Sequence, residues 1–129
     1  MIDEMKKFSI TWKSSKKPRK QRNYRARAPM HIKQKFIHSH ISKELRKKYG
    51  KRSISARKGD KVIVMRGSFR KHEGKVEKIA IKNTKIFVSG VEITKKDGTK
   101  KLLAIHPSNI TITELNLDDK LRQKILERK

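Results

Sequence analysis

The second half of the chain consists of short apolar runs separated by turn residues. Val, Ile and Thr recur within these runs as they do in half-buried β-strands, and the candidate strands are residues 61–66, 75–81, 85–89, 91–95, 100–105 and 110–113. Asn83-Thr84 favours a turn, and Asp97-Gly98 strongly indicates a hairpin. Between Val76 and Ile79 the strict alternation breaks, which indicates a bulge or a barrel corner.

Six short strands in one continuous segment predict a small barrel, because closure removes long unpaired edges. The fold class predicted is therefore mainly β, with the barrel over residues 58–113. Residues 1–57 are predicted to form a basic N-terminal extension with two short helices, and residues 114–129 a C-terminal helical tail. The predicted core of the barrel consists of Val62, Val64, Val76, Ile86, Val88, Ile110 and Ile112.

Two short helices are predicted before the strands. Pro29 is well placed to open the first, whose narrow apolar side consists of Ile32, Phe36 and Ile37. The second covers residues 43–49. Ser42 before it is a good N-cap, and Gly50 after it supplies a left-handed stop.

A third helix is predicted near the C-terminus, with Asp118 as its cap. Its apolar stripe is predicted to contain Leu117, Leu121 and Ile125, and its other face is predicted to be basic, with Lys120, Arg122 and Lys124. Such a helix must dock either on its own barrel or on a neighbouring molecule.

The amino-acid composition indicates that the chain binds a negatively charged partner. The 129 residues carry a formal net charge of +25, with only 33% hydrophobic and 38% charged residues. A charge of that size disfavours a compact state unless a polyanion neutralises it. Nucleic acid is the first candidate, and an anionic membrane surface is the weaker one, because the predicted apolar helix faces are too small for insertion. The absence of cysteine excludes disulfides and thiolate zinc sites.

The densest positive charge lies in residues 13–27, which contain four lysines, four arginines and no acid. Pro18 and like-charge repulsion argue against a helix in isolation, so this segment is expected to be disordered alone and extended along a polyanion. It could also serve as a nuclear-import signal. Together with the helix after Pro29 it supplies the N-terminal candidates for RNA contact: Lys16, Lys17, Arg19, Lys20, Arg22, Tyr24, Arg25, Arg27, His31, Lys33 and Lys35.

The stretch 58–76, KGDKVIVMRGSFRKHEGKV, predicts a strand, a tight cationic loop and a second strand. Gly74 is expected to allow the sharp turn into that second strand. A rigid bend that presents cations suits a folded RNA surface. Its candidate RNA contacts are Arg66, Ser68, Arg70, Lys71, His72 and Lys75. A further candidate, His106, lies in the turn IHPSN, where a purely structural role is equally supported.

Motifs for other chemistry are absent from the sequence. There is no phosphate-binding Gly-rich loop and no supported Ser, His and Asp arrangement. His38 and His40 are two residues apart, which on a helix places them on different faces, so no metal site is predicted. Asp60, Glu73 and Glu77 are interpreted as partners for surrounding cations. No cofactor and no enzymatic activity are expected.

Residues 58–90 resemble a KOW motif, the β-unit of SH3-like barrels. The segments APMHIKQKF, SKELRKKYGKRSISARKGD, VMRGSFRKHEGKV, DGT and IHPSNITIT occur in the order found in one family. They resemble universal large-subunit ribosomal protein 24 of the archaeal and eukaryotic type, called large-subunit protein 26 in eukaryotes. The closing LDDKLRQKILERK resembles the eukaryotic branch. The family often has Gly where this chain has Lys71, and Asp or His where it has Ser68.

The resemblance implies a structural protein that binds large-subunit rRNA early in assembly and lies beside the polypeptide exit tunnel. Implied partners are neighbouring large-subunit proteins and factors docking at the tunnel, without membrane insertion or a homo-oligomer. The location implied is the cytoplasmic ribosome, with a nucleolar assembly stage in a eukaryote.

Two alternatives explain part of the sequence. A KOW-bearing transcription elongation factor would place its barrel after a separate α/β domain, whereas residues 1–58 carry 20 Lys and Arg against three acids and show little strand pattern. A histone-like DNA compactor would explain the charge but neither IHPSN nor the barrel.

Overall fold

The computed structural model describes residues 8–128, and its main feature is one seven-stranded mixed sheet. The helices are α1 (Pro18–Arg27), α2 (Met30–Lys33), α3 (Lys43–Tyr49) and α4 (Lys120–Glu127). The strands are β1 (His38–Ile41), β2 (Ser53–Ser55), β3 (Lys61–Val64), β4 (Glu73–Ala80), β5 (Lys85–Thr94), β6 (Lys100–Ile105) and β7 (Ile110–Glu114). Short 3-10 segments cover Ile10–Ser14, Gln34–Ile37 and Pro107–Asn109. The predicted mainly β class is confirmed, and the sheet is consistent with a small barrel-like domain.

The strand order across the sheet is β2-β1-β7-β3-β4-β5-β6. Neighbouring strands are antiparallel except β1 and β7, which are parallel. The register places Val62 opposite Ile112 and Val76 opposite Val88. Apolar side chains therefore meet on one face of the sheet, where cross-strand pairs stabilise it.

The predicted barrel core is confirmed, since all seven of its residues are buried. The cluster extends further than predicted, into both flanking segments. Ile37, Ile41 and Ile54 contribute from the N-terminal side and Leu126 from α4. No helix among residues 8–128 is long and apolar enough to span a bilayer.

Strands β1 and β2 have no counterpart among the predicted elements. In β1 the sequence HSHI alternates outward His38 and His40 with buried Ser39 and Ile41. Three of these four residues are polar, so the pattern lacks the apolar run that indicates a strand. Pairing with β2 and β7 satisfies the β1 backbone, and this places two strands of the sheet within the predicted extension.

The predicted turns are confirmed, and the irregularity predicted between Val76 and Ile79 is present as a register shift. Thr84 N–H donates to the Ile81 carbonyl at 3.2 Å, and Lys95 N–H donates to the Thr99 carbonyl at 2.8 Å across Asp97-Gly98. The β4–β5 register shifts between Val76 and Lys78. The two strands predicted at 85–89 and 91–95 form one strand, β5, whose register against β6 shifts between Phe87 and Glu92.

The expectation of disorder in residues 13–27 is wrong for most of that segment, because α1 occupies residues 18–27. Pro18 lies at the first helical position, where its missing N–H costs no hydrogen bond. Tyr24 is buried and its ring centroid lies 5.1 Å from that of Phe8 and 6.0 Å from that of Phe36. This aromatic contact holds a helix that its charge alone would disfavour.

The predicted boundaries of α3 are confirmed. The Ser42 hydroxyl accepts a hydrogen bond from Leu45 N–H, and Gly50 adopts a left-handed conformation with φ of +66°. Both ends of this helix are therefore capped by the residues that its sequence indicates.

A buried ion pair joins Arg122 of α4 to Asp60 before β3. The two guanidinium NH groups donate to the two carboxylate oxygens at 2.6 Å each, and the side chains are 2% and 0% exposed. The Asp60 carboxylate also accepts from the backbone N–H groups of Arg57 and Asn116, at 2.9 Å each. Arg122 donates in addition to the carbonyl oxygen of Ser55 at 3.1 Å. The interpretation of Asp60 as a partner for a cation is confirmed.

This geometry corrects the predicted faces of the C-terminal helix. Its N-cap is Asp119 rather than Asp118. Arg122 belongs to the buried face, beside Leu126, whereas Leu121 is 66% exposed. The prediction failed because it assigned Arg122 to the solvent-exposed face. In the structure the buried Asp60 carboxylate forms two hydrogen bonds with its guanidinium group, so the arginine is buried.

Replacing Arg122 by Ala should destabilise the protein by roughly 3–5 kcal/mol, because it leaves the Asp60 carboxylate buried without its charged partner. Urea unfolding followed by circular dichroism measures the change. Glu114→Ala is the matched control, since it removes the exposed partner of Lys61 at 3.3 Å and should cost less than about 1 kcal/mol. Equal unfolding midpoints for the two variants would contradict the role given to the buried pair.

Candidate nucleic-acid interface

The loop between β3 and β4, residues 65–72, is held closed by backbone hydrogen bonds. Lys71 N–H donates to the Val64 carbonyl at 2.8 Å, and Val64 N–H donates to the His72 carbonyl at 2.9 Å. Inside the loop, Arg70 N–H donates to the Gly67 carbonyl at 3.2 Å. The backbone is therefore fixed, while the side chains of four predicted RNA contacts are exposed: Arg66, Ser68, Arg70 and Lys71.

Lys71 adopts a left-handed backbone conformation, with φ of +70°. A side chain at such a φ is strained, whereas glycine accommodates it without a Cβ clash. This explains why glycine suits this position in the family that the sequence resembles. In this chain Lys71 occupies that left-handed position and places a cation in the loop.

The loop is tied to the turn that follows β6. Met65 N–H donates to the Asn109 carbonyl at 2.7 Å. Within that turn, Nδ1 of His106 accepts the Ser108 N–H at 3.2 Å and lies 2.8 Å from its hydroxyl oxygen. His106 therefore caps the segment Pro107–Asn109, and its Nε2 takes no part in the cap.

A groove of about 240 Å³ lies between this loop and the turn. Its walls contain apolar side chains together with two cationic side chains and one histidine ring. The apolar set includes Val64, Phe69, Leu103 and Ile105, and the nitrogen-bearing set is Arg66, Lys85 and His106. Lys85 was not among the predicted contacts, because only the strand order brings the start of β5 to this end of the sheet.

The electrostatics of the groove are positive. Burial, followed by the charges of Lys85 and Arg25, lowers the pKa of His106 below its usual value. Arg25 lies on α1, so the helix contributes to the field on this side. Among residues 8–128, the ion pairs are Arg57–Asp119, Lys61–Glu114 and Arg122–Asp60, and none involves α1 or the loop.

The predicted contacts on α1 separate into two groups. Arg19, Arg22, Arg25 and Arg27 are exposed along the helix, and Lys16 and Lys17 are exposed just before it, while Lys20 is half-buried. Tyr24 was predicted to contact RNA, but the residue is 8% exposed and its ring packs against aromatic neighbours. Tyr24 therefore anchors the helix that carries the cations.

His72, another predicted RNA contact, is half-buried and makes an internal hydrogen bond. Its Nε2 donates to the Ser89 carbonyl at 3.0 Å, and a Cβ on Gly90 would lie 2.8 Å from the same nitrogen. Gly74 lies inside β4 instead of at a turn, and a Cβ there would be 2.6 Å from the Ser89 carbonyl oxygen. Gly74 therefore allows close approach of β4 and β5, and Gly90 leaves room on β5 for the ring of His72.

Four remaining candidates lie outside this interface. Lys33 is buried at 9% exposure. His31 and Lys35 line a separate groove of about 400 Å³, together with Lys51 and Arg57. Lys75 is exposed on β4, opposite Lys61 of β3. Within residues 8–128, no three His, Asp or Glu side chains are grouped as a metal site would require.

Comparison with known proteins finds a matching family and similar chains. Residues 15–129 match the family described as ribosomal proteins L26 eukaryotic, L24p archaeal. Large ribosomal subunit protein uL24 of Methanothrix thermoacetophila is 50% identical over 114 residues, which covers 88% of this chain and 98% of the relative. The protein of the same name from Korarchaeum cryptofilum is 47% identical over 115 residues, 89% of this chain and 88% of the relative. These two relatives support the archaeal type of the family, and the resemblance of the last residues to the eukaryotic branch stays a prediction.

Replacing Lys71 by Gly should raise the free energy of unfolding by roughly 0.5–1 kcal/mol, because it removes the left-handed strain and only part of that gain is lost to unfolded-state entropy. Lys71→Ala is the control, since it removes the same charge but keeps the Cβ. Urea unfolding should show stabilisation for glycine alone. Equal stabilisation by alanine would mean that charge repulsion, and not backbone strain, is the cause.

The stability of the free protein should fall as the pH drops below about 6.5, the ordinary pKa of unfolded histidine. Burial lowers the pKa of His38, and burial with Lys85 and Arg25 lowers the pKa of His106. The unfolded chain therefore binds more protons than the folded one in this range. Urea midpoints at pH 7.5 and 5.5 measure the loss.

His106→Asn, which keeps a side-chain acceptor for Ser108 N–H, should reduce this pH dependence, and the double variant with His38→Asn should reduce it further. Hydrogen bonds from Thr99 and Leu121 lower the pKa values of Asp97 and Asp119, so these carboxyl groups titrate below the window. An unchanged pH dependence in the double variant would refute the assignment.

Proposed function

This chain belongs to the L26 and L24p family of ribosomal proteins, and on that premise we propose that it binds large-subunit rRNA directly. Members of the family are structural, non-enzymatic constituents of the large ribosomal subunit, and the ribosome is their location. The surface proposed for rRNA is the one formed by α1, the β3–β4 loop and the turn after β6, called the cationic face below.

The observation that carries this proposal is a set of cations that have no ion-pair partner among residues 8–128 and surround a loop of fixed backbone. The loop is closed by its own hydrogen bonds and joined to the turn through Met65 and Asn109. A positive surface of fixed shape favours a folded RNA, which proteins recognise largely by shape and backbone contacts. Exposed arginines add bidentate contacts to phosphates. The residues assigned to the face are Lys16, Lys17, Arg19, Lys20, Arg22, Arg25, Arg27, Arg66, Ser68, Arg70, Lys71, Lys85 and His106.

We propose further that the chain joins the large subunit early in assembly and lies near the polypeptide exit tunnel, among neighbouring ribosomal proteins. This part is supported by the family resemblance alone. Crosslinking from the cationic face in assembled subunits would test the position within the large subunit. Crosslinking from nascent chains to this protein would test the position near the exit tunnel. Absence of both crosslinks would argue against them.

Replacing Arg66, Arg70 and Lys71 together by Ala should weaken binding to protein-free large-subunit rRNA. Each lost phosphate contact should also reduce the slope of log affinity against log salt by about 0.7–0.9. Filter binding of the full chain at several salt concentrations measures both quantities. Urea unfolding should change little, because the loop is held by its backbone and these side chains are exposed.

The matched control removes three exposed cations from α4 or its end, through Lys120→Ala, Lys124→Ala and Arg128→Ala. Both variants lose the same net charge, so a general field effect would weaken them equally. The proposal expects the loop variant to lose clearly more affinity and more of the salt slope. Equal losses would contradict a localised interface, and wild-type protein that does not bind the rRNA would refute the proposed function.

A further inference from the structure

The groove between the β3–β4 loop and the turn after β6 differs from the rest of the cationic face because it is concave and partly apolar. Val64, Phe69, Leu103 and Ile105 provide apolar surface, while Arg66 and Lys85 provide positive charge. A phosphate group alone would require only the cations. An unstacked nucleotide has both an apolar base plane and a charged phosphate, and such bases are the usual targets of specific RNA recognition.

The size of the groove sets a limit on what can enter. A volume of about 240 Å³ accommodates a single nucleobase and excludes a base-paired helix. The width is fixed by the 2.7 Å hydrogen bond from Met65 N–H to the Asn109 carbonyl, which joins the two sides. A preformed groove lowers the ordering cost of binding.

His106 supplies a directed hydrogen-bond donor in this groove. Its Nδ1 accepts the Ser108 N–H, so in the neutral ring the proton lies on Nε2. Burial and the neighbouring cations favour that neutral form, because they lower the pKa of the ring. A neutral N–H donor can pair with an acceptor on a base edge, which a phosphate-binding site does not need.

We propose that one unstacked nucleotide of the bound rRNA inserts its base into this groove, an assignment that rests on the rRNA binding proposed above and adds its mode of recognition. The base lies against the apolar wall that includes Phe69. An acceptor on its edge bonds to Nε2–H of His106. Arg66 and Lys85 neutralise the adjacent phosphates.

Two substitutions separate this role from structural ones. His106→Asn keeps an acceptor for Ser108 N–H but removes the Nε2 donor. Phe69→Leu keeps an apolar side chain but removes the aromatic ring. Each should weaken binding of the full chain to protein-free large-subunit rRNA by about five- to a hundredfold, the range for losing one stacked base. Lys124→Ala on α4 is the control and should bind as the wild type does.

Chemical probing of base reactivity identifies the nucleotide. Wild-type protein should protect one unpaired base in addition to a backbone footprint. At saturating concentrations the two variants should restore reactivity at that base and retain the rest of the footprint. Urea unfolding of both variants confirms that they are folded. If Phe69→Leu does not fold, the result for His106→Asn decides alone.

Variants that bind and protect as the wild type does would overturn the inference, as would a uniform weakening of the whole footprint without selective loss at one base. Both outcomes leave rRNA binding intact and refute only the nucleotide groove. A wild-type chain that leaves the rRNA unprotected and unbound would instead refute the proposed function, and the inference with it.

Discussion

The arrangement of the sheet and the C-terminal helix depends on the buried ion pair between Asp60 and Arg122. The pair connects three segments. Asp60 accepts hydrogen bonds from the backbone of Arg57 before β3 and of Asn116 after β7, and Arg122 donates to the carbonyl of Ser55 at the end of β2. A hydrophobic contact alone would hold α4 weakly, since Leu126 is its one buried apolar residue and Leu121 is exposed. A charged pair also demands one geometry, because each partner left alone would remain a buried charge without its counter-charge.

Because acidic residues are scarce in this chain, the positions of the ion pairs also determine where positive charge stays unpaired. The chain has 12 Asp and Glu for 37 Lys and Arg. Among residues 8–128, the three ion pairs all connect residues 57–61 with residues 114–122, namely Arg57–Asp119, Asp60–Arg122 and Lys61–Glu114. The acids that form these pairs thus lie where the C-terminal segment closes the fold. The loop and the turn at the cationic face keep their positive charge, and a polyanion can neutralise it.

Local patterns predicted the parts of the fold whose physics is local. Val62 and Val88 lie in short apolar runs rich in Val and Ile, which indicate strands, and Ser42 with Gly50 marks both ends of a helix. The failures involve contacts distant in sequence. Arg122 is separated by 62 positions from the carboxylate that buries it, and the neighbours of Tyr24 are known only once α1 is placed. At the candidate site, the sequence indicated the cations of the loop, which the structure shows to be exposed. The position of Lys85 beside them follows only from the strand order, and the internal contact of His72 only from the close approach of Gly90.

The cationic face contains two parts that differ in how firmly they are held. The loop and turn are fixed by backbone hydrogen bonds on strands whose core residues are fully buried. Helix α1 is anchored chiefly through Tyr24, its one buried residue. A rigid surface can discriminate between RNA shapes, whereas a lightly anchored row of arginines contributes attraction that depends on salt and little on sequence. We therefore infer that the loop and turn determine which RNA fold is accepted, while α1 chiefly increases the affinity for it.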